Sequence, residues 1–346
     1  MSKILKVKAR QVFDSRGNPT VEAEVYIKNN SASAICPSGA STGTFEAFEK
    51  RDKNNKRYLG KGVLNAVNLV NTKISKRLKG ESIHNQERID ALLINLDGTR
   101  QKTYLGANAM LAVSMAVKKL SAIVKKLPLY KTFFIKNNFQ LPYPLMNIIN
   151  GGAHANNGLR IQEFMIRPDK AKNFKDAINI CFLVIQKLKI LINKKNLSTN
   201  LGDEGGFAPS LQNNEEAIEF ILQAIENAGF VAGNDISICL DIAANELYQD
   251  KKYAVNSPRF ISSEKTIEYY LDLIKKYPIK SIEDPLFEDD WDAWVNLTKL
   301  INKDVQLVGD DLFVTNKERL LKGIRLKAAN TILIKPNQIG TLTETI

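Results

Sequence analysis

Ile279–Asp310 reads IKSIEDPLFEDDWDAWVNLTKLINKDVQLVGD, and the order of its parts decides the fold. An apolar run of strand length ends on Glu283, a stretch of helical period runs from about Trp291 to Ile301, and a second apolar run, VQLV, leads to Asp310. The same unit repeats outward. Upstream, SICL leads to Asp241, with a helical pattern from about Ser263 to Lys276; downstream, a helical pattern from about Lys317 to Ala328 precedes TILI and Lys335. Strand and helix in regular alternation imply a parallel sheet with helical crossovers. In barrels of this kind catalytic groups come from the C-terminal ends of the strands, where these four charges fall. Three carboxylates on one rim suggest a divalent metal, and a lysine beside them suggests a base.

Further upstream, LMNII and EFMIRP read as strands, followed by a long amphipathic helix from about Phe174 to Lys194 and another near Glu215 to Ala228. Six strands from Leu145 onward leave the barrel short of the eight that close it, by about two βα units. The first residues read differently. ILKVKARQVF, TVEAEVYI and SASAIC are strands, and helical patterns follow at about Gly62–Leu78, Asn85–Asn95 and Asn108–Leu127. Strands then helices, segregated, predict an α+β domain over 1–135 ahead of an α/β, TIM-type barrel domain over 136–346, with the boundary near LPYPL.

Composition narrows the function classes. With 346 residues and 44% hydrophobic content the chain can bury a large core. The net charge is +12 and the pI about 9.4, but the lysines are scattered among Asn and Ile and form no motif with aromatics. The charge therefore reads as compositional first, and as attraction for an anionic substrate or partner second. Cys36, Cys181 and Cys239 lack CxxC spacing and are odd in number, which argues against a disulfide framework or a zinc site. The N-terminus has no signal-peptide run, and the apolar segment Ile178–Ile185 is too short to span a bilayer. A cytoplasmic protein without a membrane anchor is expected.

Each charged residue has a bland reading beside the chemical one. Asp241, Glu283 and Asp310 supply hard oxygen ligands for Mg²⁺, or each caps the helix that follows it. Lys335 after an apolar run is a general base favoured by desolvation and a neighbouring cation, or a structural lysine paired to an acid. GDEGG at Gly202–Gly206 brings Glu204 on a tight turn as a general acid, or is a solvated glycine-rich loop. His154 in NGGAH, with Gln162 and Glu163, lies near the first two barrel strands, while His84 belongs to a polar helical region and is set aside. SGASTG, Ser38–Gly43, matches neither a Walker pattern nor GxGxxG and reads as a mobile lid.

Taken together, the motifs DSRGNPTVEAEV, PSGASTG, LGANA, MNIINGG, IQEFMI, GDEGGFAP, SIEDPL, DWDAW, LVGDDLFVTN and KPNQIGTLTET, in this order, resemble the enolase family from the first residues to the last. The resemblance implies Mg²⁺-dependent, reversible dehydration of 2-phospho-D-glycerate to phosphoenolpyruvate by a cytoplasmic homodimer, with two Mg²⁺ per site. It implies that Asp241, Glu283 and Asp310 bind the first ion and that Ser41 helps hold the second. It makes Lys335 the base at C2 and Glu204 the group that helps the C3 hydroxyl leave, supported by Glu163, with His154 and Gln162 contacting substrate. Arg160 stands where the family has an acid, and Asn245 where it has a serine. The family's SHRSGE segment and a further lysine, which hold phosphate and carboxylate, do not occur up to Ile346. The expectation is an enolase whose C-terminal part is missing from this sequence, poorly active as it stands. The competing expectation is a truncated, non-catalytic remnant acting as a basic binding or scaffold protein; nucleic-acid or RNA-processing partners have no support in the sequence.

Overall fold

The structure, a computed structural model, describes residues 2–39, 43–133, 139–301 and 303–346. Packing divides the chain into two compact units, one of Met1–Phe139, Val314–Lys317 and Ile334–Ile346, the other of Gln140–Phe313 and Glu318–Leu333.

In the first unit β1 (Lys6–Phe13), β2 (Pro19–Tyr26) and β3 (Ser31–Ile35) form an antiparallel sheet. The first turn follows from its residues: the Asp14 carboxylate accepts the N–H groups of Arg16 and Asn18 at 2.9 and 2.8 Å, and Gly17 takes the left-handed φ of 75° that the turn requires. Helix α1 (Leu64–Leu69) passes through a π turn at Val70–Ile74 into α2 (Ser75–Leu78), where the periodicity predicts a single helix. Asn85 caps α3 (Gln86–Asp97) by accepting the Arg88 N–H. His84, just before this cap, bonds Ser121 through Nδ1 at 2.9 Å. The central helix α4 (Ala107–Lys125) packs on β2 and β3 and buries Met110, Leu111, Val113, Val117 and Leu120 against Val21, Ala23 and Val25. By length and composition α4 could cross a membrane; its burial accounts for its apolarity as a core helix.

The second unit contains β4 (Met146–Asn150), β5 (Glu163–Arg167), α5 (Phe174–Lys194), α6 (Asn214–Asn227), β6 (Ser237–Asp241), a small hairpin of β7 (Tyr248–Gln249) and β8 (Lys252–Tyr253), α7 (Ser263–Lys276), β9 (Ile279–Glu283), α8 (Trp291–Leu300), β10 (Gln306–Gly309), α9 (Lys317–Leu326) and β11 (Thr331–Ile332). Its sheet has six described strands in the order β11-β10-β9-β6-β5-β4. β6, β9, β10 and β11 are parallel, as the alternation with helices predicts, whereas β5 runs antiparallel to both β4 and β6. β4 and β5 are joined without a crossover helix, which antiparallel pairing permits and parallel pairing does not.

Side-chain period does the rest. Phe164, Ile166, Ile238, Leu240, Ile282 and Leu307 join the apolar core shared with the helices. Their strand neighbours Glu163, Met165, Cys239, Asp241, Ser281 and Glu283 point to the opposite face. Because β5 is reversed, its first residue and not its last lies at the end where β6 and β9 finish: Glu163 is in register with Asp241, and Asp241 with Glu283.

The strand expected at TILI-Lys335 is shorter than the apolar run, since β11 ends at Ile332. Beyond Ile334 the chain packs in the first unit through α10 (Pro336–Ile339) and α11 (Leu342–Thr345). Asp90 on α3 anchors this segment, accepting the Thr343 N–H at 2.9 Å and its hydroxyl at 2.6 Å, while Ser114 Oγ accepts the Leu342 N–H at 3.1 Å. Burial pushes the Asp90 carboxyl above its usual range, and the hydrogen bonds from Thr343, Ser114 and Gln86 partly oppose this. Asp90→Ala removes the acceptor for both Thr343 donors and is expected to cost about 1–3 kcal/mol. Amide hydrogen exchange at Thr343–Thr345 should accelerate; unchanged protection there would show that the segment is held by other contacts.

Candidate active site at the strand ends

Three acids stand at the C-terminal ends of adjacent parallel strands: Asp241 closes β6, Glu283 closes β9, and Asp310 follows β10, whose Val308 pairs with Glu283. Asp241 and Asp310 are buried. Helix capping does not explain them. α7 is capped by Ser262 and α8 begins after Asp290, far along the chain from the acids that precede them. Asp241 is fixed by accepting the Ala243 N–H at 3.0 Å on one oxygen and the Gln162 amide at 2.9 Å on the other. Shortly after each acid the backbone enters the left-handed region without glycine, at Ala243 (φ 48°), Asp284 (φ 39°) and Val314 (φ 42°). Such residues cost roughly 1–3 kcal/mol each and collect where function constrains the chain. Asp284 is held in place by its N–H to Val308 O at 2.9 Å and by the Ala244 N–H on its own carbonyl at 3.0 Å.

Beside these acids, Asp284, Asp310 and Asp311 bring three carboxylate oxygens within 4.8 Å of one another, all buried. Both oxygens of Asp284 accept backbone N–H groups, from Asp310 at 3.0 Å and Asp311 at 2.7 Å. Burial, then the charges of Asp311 and Asp310, push the Asp284 carboxyl well above the usual range.

A second group gathers His154, Glu163 and Glu204, with ligand atoms again within 4.8 Å. His154 is buried, its Nδ1 3.5 Å from Glu163 and its Nε2 3.9 Å from the more exposed Glu204. The glycines of GDEGG are explained by what they touch. A Cβ on Gly202 would lie 2.7 Å from Asn150 Cβ and from His154 O, and one on Gly206 would lie 2.8 Å from Asn150 Oδ1 and 3.0 Å from the Ile149 backbone. Asn150 Oδ1 accepts the Gly206 N–H at 2.8 Å, so the loop carrying Glu204 is pressed onto the end of β4. Gln162 is buried, its Nε2 spent on Asp241 and its Oε1 buried without a hydrogen-bond partner among the described residues.

The sequence matches the enolase N-terminal domain over residues 4–133 and the enolase C-terminal TIM barrel domain over residues 138–346. It is 69% identical to the enolase of Pelagibacter ubique (strain HTCC1062) over 346 residues, which is 100% of this chain and 82% of that protein. The chain belongs to the enolase family.

Enolases are phosphopyruvate hydratases, carbon–oxygen lyases, and the enolase architecture accounts for both units: an α+β unit and a βα unit whose strand ends carry the acids. Among the described residues two clusters bring three ligand atoms within 4.8 Å and could hold a metal ion; of the acids expected to bind metal, Asp310 belongs to one of them, and Asp241 and Glu283 to neither. Of the residues singled out in the sequence, the register joins Glu163, Asp241 and Glu283, Asp310 follows the next strand, and Gln162, His154 and Glu204 lie with them in the second unit. Lys335 packs in the first unit, where it precedes α10 and donates its N–H to Thr315 Oγ1 at 2.8 Å. Ser41 lies outside the described residues. Arg160 lines a cavity of about 400 Å³ with Gln162 and Glu246.

Sequence reasoning missed Asp284, Asp311 and Asn150. It took one charge per strand end, although the doubled acids Glu283-Asp284 and Asp310-Asp311 were visible, and it assigned the glycines to a tight turn and close ligand approach, not to packing against the end of β4. Gly206→Ala forces the GDEGG loop off Asn150 and Ile149. It is expected to lower the melting temperature and to accelerate amide exchange at Asp203–Gly205; an unchanged exchange pattern would contradict the close-packing explanation.

Proposed function

We propose that this enolase-family chain performs the proton-transfer chemistry of 2-phospho-D-glycerate dehydration to phosphoenolpyruvate, with Asp241, Glu283 and Asp310 holding Mg²⁺. The observation that carries the reading is the alignment of carboxylates at the ends of β6, β9 and β10. The donor set fits the ion: every group is a hard oxygen, as Mg²⁺ prefers, and the orphaned Gln162 Oε1 is an acceptor suited to a metal-bound water or a substrate hydroxyl. When bound, the metal supplies positive charge next to the substrate carboxylate, stabilising the transition state more than the ground state. Following the family, Ser41 would help hold a second Mg²⁺.

The chain's own residues supply the proton steps. The proton at C2, α to a carboxylate, is barely acidic, and Lys335 is the residue assigned to remove it. Glu204 protonates the departing C3 hydroxyl, with Glu163 beside His154 supporting it. His154 and Gln162 orient the substrate. A homodimeric state and a cytoplasmic location are carried over from the family with the activity.

The direct test is exchange of the C2 proton of 2-phosphoglycerate, followed by NMR in D₂O with Mg²⁺ and the purified 346-residue polypeptide. Phosphoenolpyruvate formation is followed in the same sample. Exchange should depend on Lys335, falling about 100-fold or more in Lys335→Ala. Exchange at the parental rate in that variant would contradict the assignment.

A further inference from the structure

The segment between β4 and β5 folds back on itself beside Asp241. Gly151 and Gly152 donate their N–H groups to the carbonyls of Gln162 and Leu159 at 2.9 and 3.0 Å, and Gln162 donates its own to Asp241 O at 3.0 Å. Asn214 Oδ1, on the buried first residue of α6, accepts the N–H groups of Arg160 and Ile161 at 3.1 and 3.2 Å, which fixes the backbone from which Arg160 projects. This segment and the one after β6 line the cavity of about 400 Å³, to which Ile242, Ala243 and Leu247 give a buried, apolar wall.

Two polar groups of that lining are uncommitted. Gln162 Oε1 is buried and accepts no hydrogen bond among the described residues. The half-buried Arg160 side chain likewise makes no hydrogen bond or ion pair among the described residues. Glu246, an exposed acid on the same cavity, does not pair with it. A guanidinium presents five N–H donors in a rigid fork that matches phosphate, and bonds from it to an ionised oxygen are about twice as strong as neutral ones. The cavity also adjoins the metal end of the site, because the Gln162 amide and the Ala243 N–H bond the two oxygens of the Asp241 carboxylate.

We infer that Arg160 is a substrate-binding residue that takes the phosphate of 2-phospho-D-glycerate, while the hydroxyl of the same molecule donates to Gln162 Oε1. The inference rests on the reading of that compound as the substrate. With the carboxylate beside the metal, the phosphate is the oxyanion left for the guanidinium. The pair thus supplies a cation for the most highly charged group of the ligand and an acceptor for its one hydroxyl. Neither group is spent on the fold, so the cavity offers both to a ligand without breaking an existing bond.

The test is calorimetric titration of the 346-residue polypeptide with 2-phosphoglycerate in Mg²⁺, with thermal melting as the control for folding. Arg160→Gln should melt as the parent does without ligand and raise the dissociation constant about 10-fold or more, the usual effect of losing a hydrogen bond to a charged group. Arg160→Lys, which keeps the charge and loses the fork, should fall between. Arg259→Gln removes the same charge at an exposed position and should bind as the parent does. Inorganic phosphate alone should bind the parent more tightly than Arg160→Gln. Equal phosphate binding with weakened 2-phosphoglycerate would move Arg160 to the carboxylate and overturn the assignment. Parental affinity for 2-phosphoglycerate in both Arg160 variants, an equal loss in Arg259→Gln, or a parent that does not bind the compound would also overturn it. A parent that binds through Arg160 yet exchanges no C2 proton would support this inference and contradict the proton-transfer reading.

Discussion

Carboxylates crowded into a buried rim repel one another, and the architecture of the second unit is organised around bearing that repulsion. Removing an ion from water costs several kcal/mol even after the protein relaxes. Asp241, Asp284, Asp310 and Asp311 are all buried at neighbouring strand ends. Part of the cost is met by donors aimed at particular oxygens: two backbone N–H groups on Asp284, an N–H and a glutamine amide on Asp241, the Asn245 amide on Asp311. Burial, then the charges of Asp311 and Asp310, push the Asp284 carboxyl well above its usual range. Hard carboxylate oxygens gathered within 4.8 Å suit a divalent cation, which is why so costly an arrangement reads as a candidate metal centre.

That arrangement depends on register. Side chains alternate along a strand, so a slip of one residue at β6 would send Asp241 into the apolar core and Leu240 to the rim. The core residues Ile238, Leu240, Ile282 and Leu307 prevent the slip, because each would have to leave its place beneath the helices. Packing thus fixes chemistry. The reversed strand β5 extends the same logic by bringing Glu163, at its start, into line with Asp241.

What was legible in the sequence was what local pattern encodes. Helix α5 runs over Phe174–Lys194 as its periodicity predicts, and the strands ending on Asp241 and Glu283 match their apolar runs, because both signals are set by neighbours in sequence. Three things were not. The direction of β5 is a matter of chain connection, which composition does not carry. The packing of Ile334–Ile346 with the first unit depends on Asp90 and Ser114, more than two hundred residues away along the chain. The role of Asp284 in accepting the N–H groups of Asp310 and Asp311 depends on contacts across two strand ends, which no local pattern carries.

The cation is proposed to sit among Asp241, Glu283 and Asp310, while Asp284 fixes the backbone of Asp310 and Asp311 by accepting both their N–H groups. Anomalous scattering from a crystal of the chain soaked in Mn²⁺ locates the ion directly. The peak is predicted at about 2.0–2.3 Å from oxygens of Asp241, Glu283 and Asp310, the range between Mg²⁺ and larger hard cations. A peak coordinated by Asp284 and Asp311 instead would contradict the claim.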